Sequence, residues 1–365
     1  MIYVFSIVDL IPYILLVSIC VYLSNHKTKR YNNTYIIYLI LLVFSSIRYG
    51  IGYDYFAYRD YIELDAKDYV YERMEPLSLL FVNIAKTIKS TYIYFAFYSL
   101  IILYPIYYVS KHESQIPALS LLIFILYPSF FLDSMGIIRN AVAFSMIFMA
   151  YHFINKKNFL LGIVFVILSI MNHNSGYIGL LIILFYYVHF SRKIYIIAFI
   201  ASFIIGENIL NILSTISSTN SIINAAYNYL FLYPKEVGSM KYLILLIGFF
   251  VFMNWNRILK INPRNIILLN YVSIGVCLFF LFIKDDTLSF RLSNFFLLFL
   301  LLLVPEYINS YKVYAKKRVL TIFFFLSLFC FSFYINIVGY LEKKTERMNY
   351  LPYQTIFYHK DYANY

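Results

Sequence analysis

The chain has 365 residues, of which 62% are hydrophobic, 21% aromatic and only 13% charged, with a mean hydropathy of +0.73. These values exclude an ordinary soluble domain and fall in the polytopic membrane class. A formal charge of +12 would suggest nucleic acid in a soluble protein. Here the basic residues gather in short connections between apolar runs, which is a mark of membrane topology, so no nucleic-acid partner is expected.

Apolar runs near the roughly 20 residues that a bilayer requires predict helices at 3–23, 34–47, 91–109, 116–132, 137–155, 158–172, 177–190, 194–212, 240–256, 265–283, 289–305 and 319–340. The expected fold is therefore all-α, a single transmembrane domain over 1–365 with about twelve spans. The first run has no basic leader and no small-residue cleavage site, and reads as a retained helix. Residues 76–90 have apolar positions at helical spacing but carry Lys86 and Lys89, which predicts an amphipathic interfacial helix. The three cysteines, Cys20, Cys277 and Cys330, all lie inside apolar segments, so neither a disulfide framework nor a metal site is expected.

With 76–90 on the surface, the connections 24–33, 110–115, 156–157, 191–193, 257–264 and 306–318 share one side. They hold fifteen of the thirty Lys and Arg against two acids, Glu113 and Glu306. The opposite side is then the outside, and both termini lie there. The unusual polar elements fall on that same side: a loop at 48–75, Asp133 with Arg139, residues 172–175, Asp285-Asp286 with Arg291, and a tail at 341–365 containing Tyr350 and Tyr353.

The loop at 48–75 is long for a compact bundle and is read as functional or disordered. It opens Arg48-Tyr-Gly50-Ile-Gly52-Tyr-Asp54-Tyr55, with Tyr58 just beyond. Gly50 and Gly52 permit positive φ or a close backbone approach, which would let Asp54 lie near Arg48. Tyr55 and Tyr58 offer flat faces with hydroxyl tips, suited to sugar rings or headgroups. An aromatic belt with a local ion pair is the plainer alternative. Arg139, followed by Asn140, and Arg291 each stand alone at the outer start of an apolar helix. A guanidinium there either binds phosphate bidentately or snorkels to the interface. Together with Arg48 these arginines suit a pyrophosphate. His173 ends an apolar run and is either a helix-capping residue or a base or phosphate ligand. Glu75 either serves the N-terminus of the interfacial helix or accepts a proton from a sugar hydroxyl. No second His or Cys stands at ligand spacing, so no metal is expected. Asp285-Asp286 and the loop 213–239 read as solvated connectors.

The run Arg48 to Tyr58 resembles the early arginine, glycine and aspartate motif of the EpsG-like, Wzy-type polysaccharide polymerases. Glu75-Pro76, Gly136-Ile-Ile-Arg139-Asn140, His173-Asn-Ser175 and Phe290-Arg291 follow in that family's order over essentially the whole chain. Two departures stand out: Tyr53 where threonine is commoner, and Asn140 where glutamine is usual. The resemblance implies a GT-C-like membrane glycosyltransferase bundle of the bacterial cytoplasmic membrane. Such an enzyme polymerises undecaprenyl-diphosphate-linked oligosaccharide units of an O-antigen, capsule or exopolysaccharide on the outer face, moving the growing glycan onto the next lipid-linked unit without a cofactor. It further implies Arg48, Gly52, Tyr55, Tyr58, Arg139, Asn140 and Arg291 at the substrate, with Asp54, Glu75 and His173 competing as base. Membrane lipid and a chain-length regulator are the further partners. From a different class, a flippase or exporter of the same unit would line a central path with charges, whereas the inner thirds of these helices are nearly charge-free. An O-antigen ligase would carry its large outer loop late in the chain, and an acyltransferase is a weaker third reading.

Overall fold

Local chemistry sets most helix boundaries. In the computed structural model, which describes residues 7–25, 32–216, 238, 240–311, 315–339 and 350–359, the chain opens with α1 (Ile11–Asn25) and α2 (Asn33–Ser46). The Asn32 side chain caps α2 by accepting from the Tyr35 N–H at 3.4 Å. A two-residue strand β1 (Arg48–Tyr49) leads to α3 (Tyr55–Glu63) and the single turn α4 (Tyr69–Glu72), which Asp68 caps. α5 (Pro76–Ile88) covers the segment expected to be amphipathic, and Ser90 caps the long α6 (Thr91–Glu113). Proline opens helices because its missing N–H is unneeded in a first turn. Pro117 and Pro128 start α7 (Pro117–Leu126) and α8 (Pro128–Gly136), which are bent by 67° to one another. α9 (Ile138–Asn155), α10 (Phe159–Asn172) and α11 (Gly179–Tyr187) follow. Next come α12 (Arg192–Glu207), α13 (Ile209–Ile216), α14 (Met240–Ile261) and α15 (Asn265–Leu281), then α16 (Asp286–Leu297), α17 (Leu300–Asn309), α18 (Ala315–Gly339) and strand β2 (Gln354–Thr355).

The chain divides into two compact units, Met1–Leu180 with Val304–Tyr365, and Leu181–Leu303. In the first, α9 is the central element: all its residues except Arg139, Phe153 and Asn155 are buried, as befits a helix apolar on every face. α6 and α10 pack directly on it. At the far end of α9, His152 Nδ1 and Asn155 Nδ2 meet the two oxygens of Glu113 at 2.6 and 2.7 Å, tying α9 to α6. In the second unit, α12, α14 and α16 pack on α15. A Lys284–Glu207 ion pair of 2.6 Å joins the end of α12 to the turn after α15. Asp285, expected to be a solvated connector residue, is instead buried as the N-cap of α16, where the Leu288 N–H donates to it at 2.7 Å. The expected connector 213–239 lies largely outside the described residues.

The all-α, polytopic character is plain, while the helices are more broken than hydropathy predicts. Among the described residues α6 and α14 are long and apolar enough to cross a membrane, and the number of spans rises to four if the bent pairs α7–α8 and α16–α17 (47°) each count as one. Several expected spans are short. α2 and α10 have 14 residues each, about 21 Å at 1.5 Å per residue against a hydrocarbon core of about 30 Å. Inside the expected runs the breaks fall at Pro128 within 116–132 and at Leu298-Phe299 within 289–305, whereas α2 and α10 keep nearly the bounds expected of them.

A small ribbon closes one end of the first unit. β2 pairs antiparallel with β1, Arg48 opposite Thr355 and Tyr49 opposite Gln354. The Ile356 N–H donates to Ile47 O at 2.9 Å, and the Tyr353 hydroxyl donates to Phe44 O. Further back, the Tyr13 hydroxyl donates to Tyr350 O at 2.6 Å. Residues 350–356 thus strap the end of α2 and the start of the 48–75 loop.

Candidate functional site

The loop reaches its position through backbone contacts that tolerate no side chain. Gly50 and Gly52 have φ of 65° and 105°, and a Cβ on Gly52 would lie 2.1 Å from Met135 O at the end of α8. Only glycine adopts the second conformation while passing so close to another backbone. On the neighbouring Gly136 a Cβ would meet the Tyr350 hydroxyl at 2.9 Å. That hydroxyl donates to Asp133 Oδ1 at 3.1 Å, and the Tyr350 ring stands edge-on to Tyr53. So docked, the loop delivers Asp54 to the N-cap position of α3, where its side chain makes no capping bond. Its carboxylate interacts electrostatically with Arg139, Tyr58 and Tyr61.

Arg139 lies in the first turn of α9, an end where the helix dipole disfavours a cation. Glu75 offsets this. Arg139 Nη1 donates to Glu75 Oε2 at 2.7 Å, with side chains 16% and 7% exposed. Glu75 is the N-cap residue of α5 yet makes no capping bond there. Its other oxygen, Oε1, accepts the Asn174 N–H at 2.9 Å, so the carboxylate bridges the start of α9 to the turn after α10. Asn140 Nδ2, one residue on, donates to Ser175 Oγ at 2.7 Å. Ser175 Oγ lies 2.6 Å from His173 Nδ1, and the same nitrogen accepts the Ser175 N–H at 3.1 Å. A ring nitrogen that accepts a backbone N–H carries no proton, so this hydrogen-bond pattern assigns the proton of the neutral imidazole to Nε2. Tyr58 is 2% exposed and lies beside Arg139, with its ring 5.2 Å from that of Tyr94, which in turn is 4.6 Å from Tyr98. Burial pushes the Tyr58 hydroxyl well above its ordinary pKa, so it is a neutral donor at any physiological pH.

The residues singled out in the sequence thus fall into two sets within the first unit. Asp54, Tyr58, Glu75, Arg139, Asn140 and His173 share one end of α9. Arg48 and Tyr55 lie elsewhere, under the ribbon. Arg48 is 1% exposed; Nη1 donates to Ser99 Oγ at 3.1 Å and to Ser45 O, and the guanidinium lies 4.6 Å from the Phe95 ring centroid. Tyr55 stacks on the same Phe95 ring at 4.6 Å. Arg48 Nε and Nη2 are buried without an acceptor, and among the described residues no carboxylate pairs with it. The local Arg48–Asp54 pairing that the glycines seemed to allow does not form; Asp54 faces the Arg139 end instead. Arg291 sits on α16 in the second unit with its Nε buried and without an acceptor. Sequence reasoning passed over Tyr94 and Tyr98, whose spacing on α6 puts both on one face, and Tyr350, which stood out only as part of a polar tail. Among the described residues no cluster of His, Cys, Asp or Glu is arranged to hold a metal ion.

The chemistry available at this end of α9 is that of a masked cation. One guanidinium is balanced by one carboxylate, a second carboxylate stands in electrostatic reach, a histidine presents an N–H, and a neutral tyrosine closes the side. Such a group can accept an anion by exchanging partners, and can take a proton at a carboxylate. A family model described as the EpsG family matches residues 32–355. No curated protein and no solved structure matches the chain.

Proposed function

The chain belongs to the EpsG family, whose members are Wzy-type polysaccharide polymerases, and on that premise we propose that it polymerises undecaprenyl-diphosphate-linked oligosaccharide units on the outer face of the bacterial cytoplasmic membrane. The growing glycan of an O-antigen, capsule or exopolysaccharide moves from its lipid diphosphate onto a hydroxyl of the next lipid-linked unit. In this reading the chain crosses the membrane about twelve times with both termini outside. The observation that carries the proposal is the part-buried Glu75–Arg139 pair, bracketed by Asp54 on one side and by the Asn140–Ser175–His173 chain on the other.

The acceptor hydroxyl oxygen forms a bond to the donor's anomeric carbon while the bond from that carbon to the diphosphate oxygen breaks. The hydroxyl proton passes to a base, and undecaprenyl diphosphate leaves with its charge held by the protein. Arg139 takes the diphosphate by exchanging its Glu75 contact for phosphate oxygens, and Glu75 stays tethered by the Asn174 N–H. His173, with its proton at Nε2, serves as a donor to the leaving oxygens rather than as the base. Tyr58, held neutral, also donates. That leaves Asp54 as the preferred base, with Glu75 second. Gly52 docks the loop that carries Asp54 and Asn140 holds Ser175 beside His173, whereas Tyr55 lies apart from this centre, and Arg291 is kept as a candidate phosphate contact on its sequence position alone.

Deleting the gene and resolving surface polysaccharide on a gel tests the reading. A polymerase predicts loss of the long ladder while a single repeat unit remains attached. An unchanged ladder overturns the proposal, complete absence of any unit would indicate a flippase, and free polymer never attached would indicate a ligase. For orientation, a cysteine placed beside Lys156 is expected to resist an impermeant reagent added from outside.

A further inference from the structure

A second feature of α3 faces away from the charged centre. Asp54, Tyr58 and Tyr61 lie along one stripe of the helix, whereas Tyr55, Arg59 and Glu63, spaced four residues apart, lie along another. With Tyr49, Leu64 and Tyr92 this second stripe lines a half-open cavity of about 260 Å³. Its walls are rigidly set. Tyr55 is stacked on Phe95, and the Tyr49 ring makes an edge contact with Tyr55 and stacks on His359 at 3.7 Å. Arg59 lies over the Phe56 ring at 4.5 Å and pairs with Asp60 at 3.0 Å. Glu63 Oε1 accepts from Thr91 Oγ1 at 2.6 Å.

The lining chemistry narrows the ligand. An acyl or polyprenyl tail is best met by aliphatic walls, yet five of the six lining residues carry a hydrogen-bonding group. A phosphate calls for net positive charge, yet Arg59 is opposed by Asp60 and Glu63. What fits is a ligand with apolar C–H faces and many hydroxyls: the Tyr92 ring, 38% exposed, stacks on a face against walls set by Tyr49 and Tyr55, and the guanidinium and carboxylate take the hydroxyls. The volume is smaller than the roughly 300–1,000 Å³ of pockets for drug-sized ligands, so it holds one or two sugar rings and not a whole repeat unit.

We propose that the cavity between Tyr49, Tyr55, Arg59, Glu63 and Tyr92 is a saccharide subsite that grips a pyranose of the glycan away from the reacting bond. The proposal rests on the polymerase reading. In it, α3 acts as a divider, with the charged centre on one stripe holding the diphosphate end and the tyrosine cavity on the other holding the chain. A grip of this kind keeps a growing chain associated between additions and so governs how many units are added per encounter.

The test uses the full chain purified in detergent and, as probe, the host strain's own surface polysaccharide, released from lipid by mild acid and cut to oligosaccharides of a few residues. Saturation-transfer NMR is expected to show binding to the wild type, weakened about tenfold or more in Tyr92→Ala and in Arg59→Gln. In cells, Tyr92→Ala at wild-type protein level shifts the ladder to shorter chains without abolishing it, and Tyr92→Phe restores the length. Absence of oligosaccharide binding by the wild type, or equal binding by both cavity variants, overturns the subsite. So does loss of every chain beyond one unit in Tyr92→Ala, which would place that residue at the reacting bond. If the deletion strain keeps its ladder, the polymerase reading itself fails. If the deletion removes the ladder but the cavity variants leave binding and ladder untouched, the subsite alone fails.

Discussion

Arg48 and Arg139 are both interior arginines of one unit, and the protein treats them in opposite ways. Arg139 is met by a carboxylate at 2.7 Å, and a backbone N–H holds that carboxylate from behind. The group is neutral in sum and fixed in aim. Arg48 is more deeply buried, has no carboxylate partner among the described residues, and leaves two N–H groups without acceptors. Its charge is softened by the Phe95 face, a serine, a carbonyl and four surrounding tyrosines. Burial lowers its pKa to about 10, so it remains a cation at neutral pH. A paired guanidinium is poised to exchange partners, whereas an unpaired one imposes a standing cost on the fold. Arg139 is therefore the better candidate for reversible anion binding.

The comparison breaks most sharply at the pair. Glu75→Gln strips Arg139 of its counter-charge, and removing one member of a buried ion pair costs about 3 kcal/mol or more. The expected result is a clearly lower thermal midpoint in detergent and loss of the polysaccharide ladder. Arg139→Gln should behave alike, and the double variant should be destabilised by less than the sum, as expected of contacting residues. Additive losses would show that the two side chains act independently.

Arg48→Met gives the contrasting result. Removing an uncompensated buried cation is expected to raise stability by about 1–2 kcal/mol despite two lost hydrogen bonds. A midpoint lowered as far as that of Arg139→Gln would reverse the comparison. The pH dependence has a definite sign. A cation whose folded pKa is depressed burdens the fold while it is charged, and the burden eases as pH rises through about 10 towards the ordinary value of 12.5. The stability advantage of Arg48→Met over the wild type should therefore narrow across that window and be constant below it.

The smallest expected effect is at Asn140→Ala, which removes the donor to Ser175 Oγ. A single neutral hydrogen bond is worth about 1 kcal/mol. The ladder should still form but lengthen more slowly after induction of the gene, with the thermal midpoint little changed. A ladder as short as that of the Glu75 variant would assign Asn140 a direct substrate contact.

Much of this arrangement was legible in the residues. Lone charges beside apolar helices, Asp54, Glu75, Arg139 and His173 among them, pointed to one end of the bundle, and six of the residues singled out meet there although Glu75 is 64 positions from Arg139 and 99 from Asn174. Composition also conveyed the all-α membrane class. What stayed hidden was geometry that hydropathy does not encode. The 67° bend between α7 and α8 turns on Pro128 within an unbroken apolar run. Arg48 read as a partner for Asp54 or a third phosphate ligand, because the residues gathered around it, Tyr13, Tyr350 and Tyr353, lie far from it in sequence. Glu75 was open to two readings, helix terminus or base; its position is that of a cap, while its side chain serves another helix.

The ribbon that joins β1 to β2 also imposes a schedule. Closing a long loop costs only slightly more free energy than closing a short one, so the Arg48–Thr355 pairing is affordable at equilibrium, but it cannot occur before residue 355 has been made. At roughly 5–20 residues per second, about 300 residues of synthesis separate the two strands by roughly 15–60 s. During that interval Arg48 lacks Tyr350 and Tyr353, and the glycine loop lacks the Tyr350 hydroxyl that wedges against Gly136 and Asp133. Completion of this end of the molecule therefore waits for synthesis to reach residue 355, and a nascent polypeptide arrested before the ribbon would keep its loop untied.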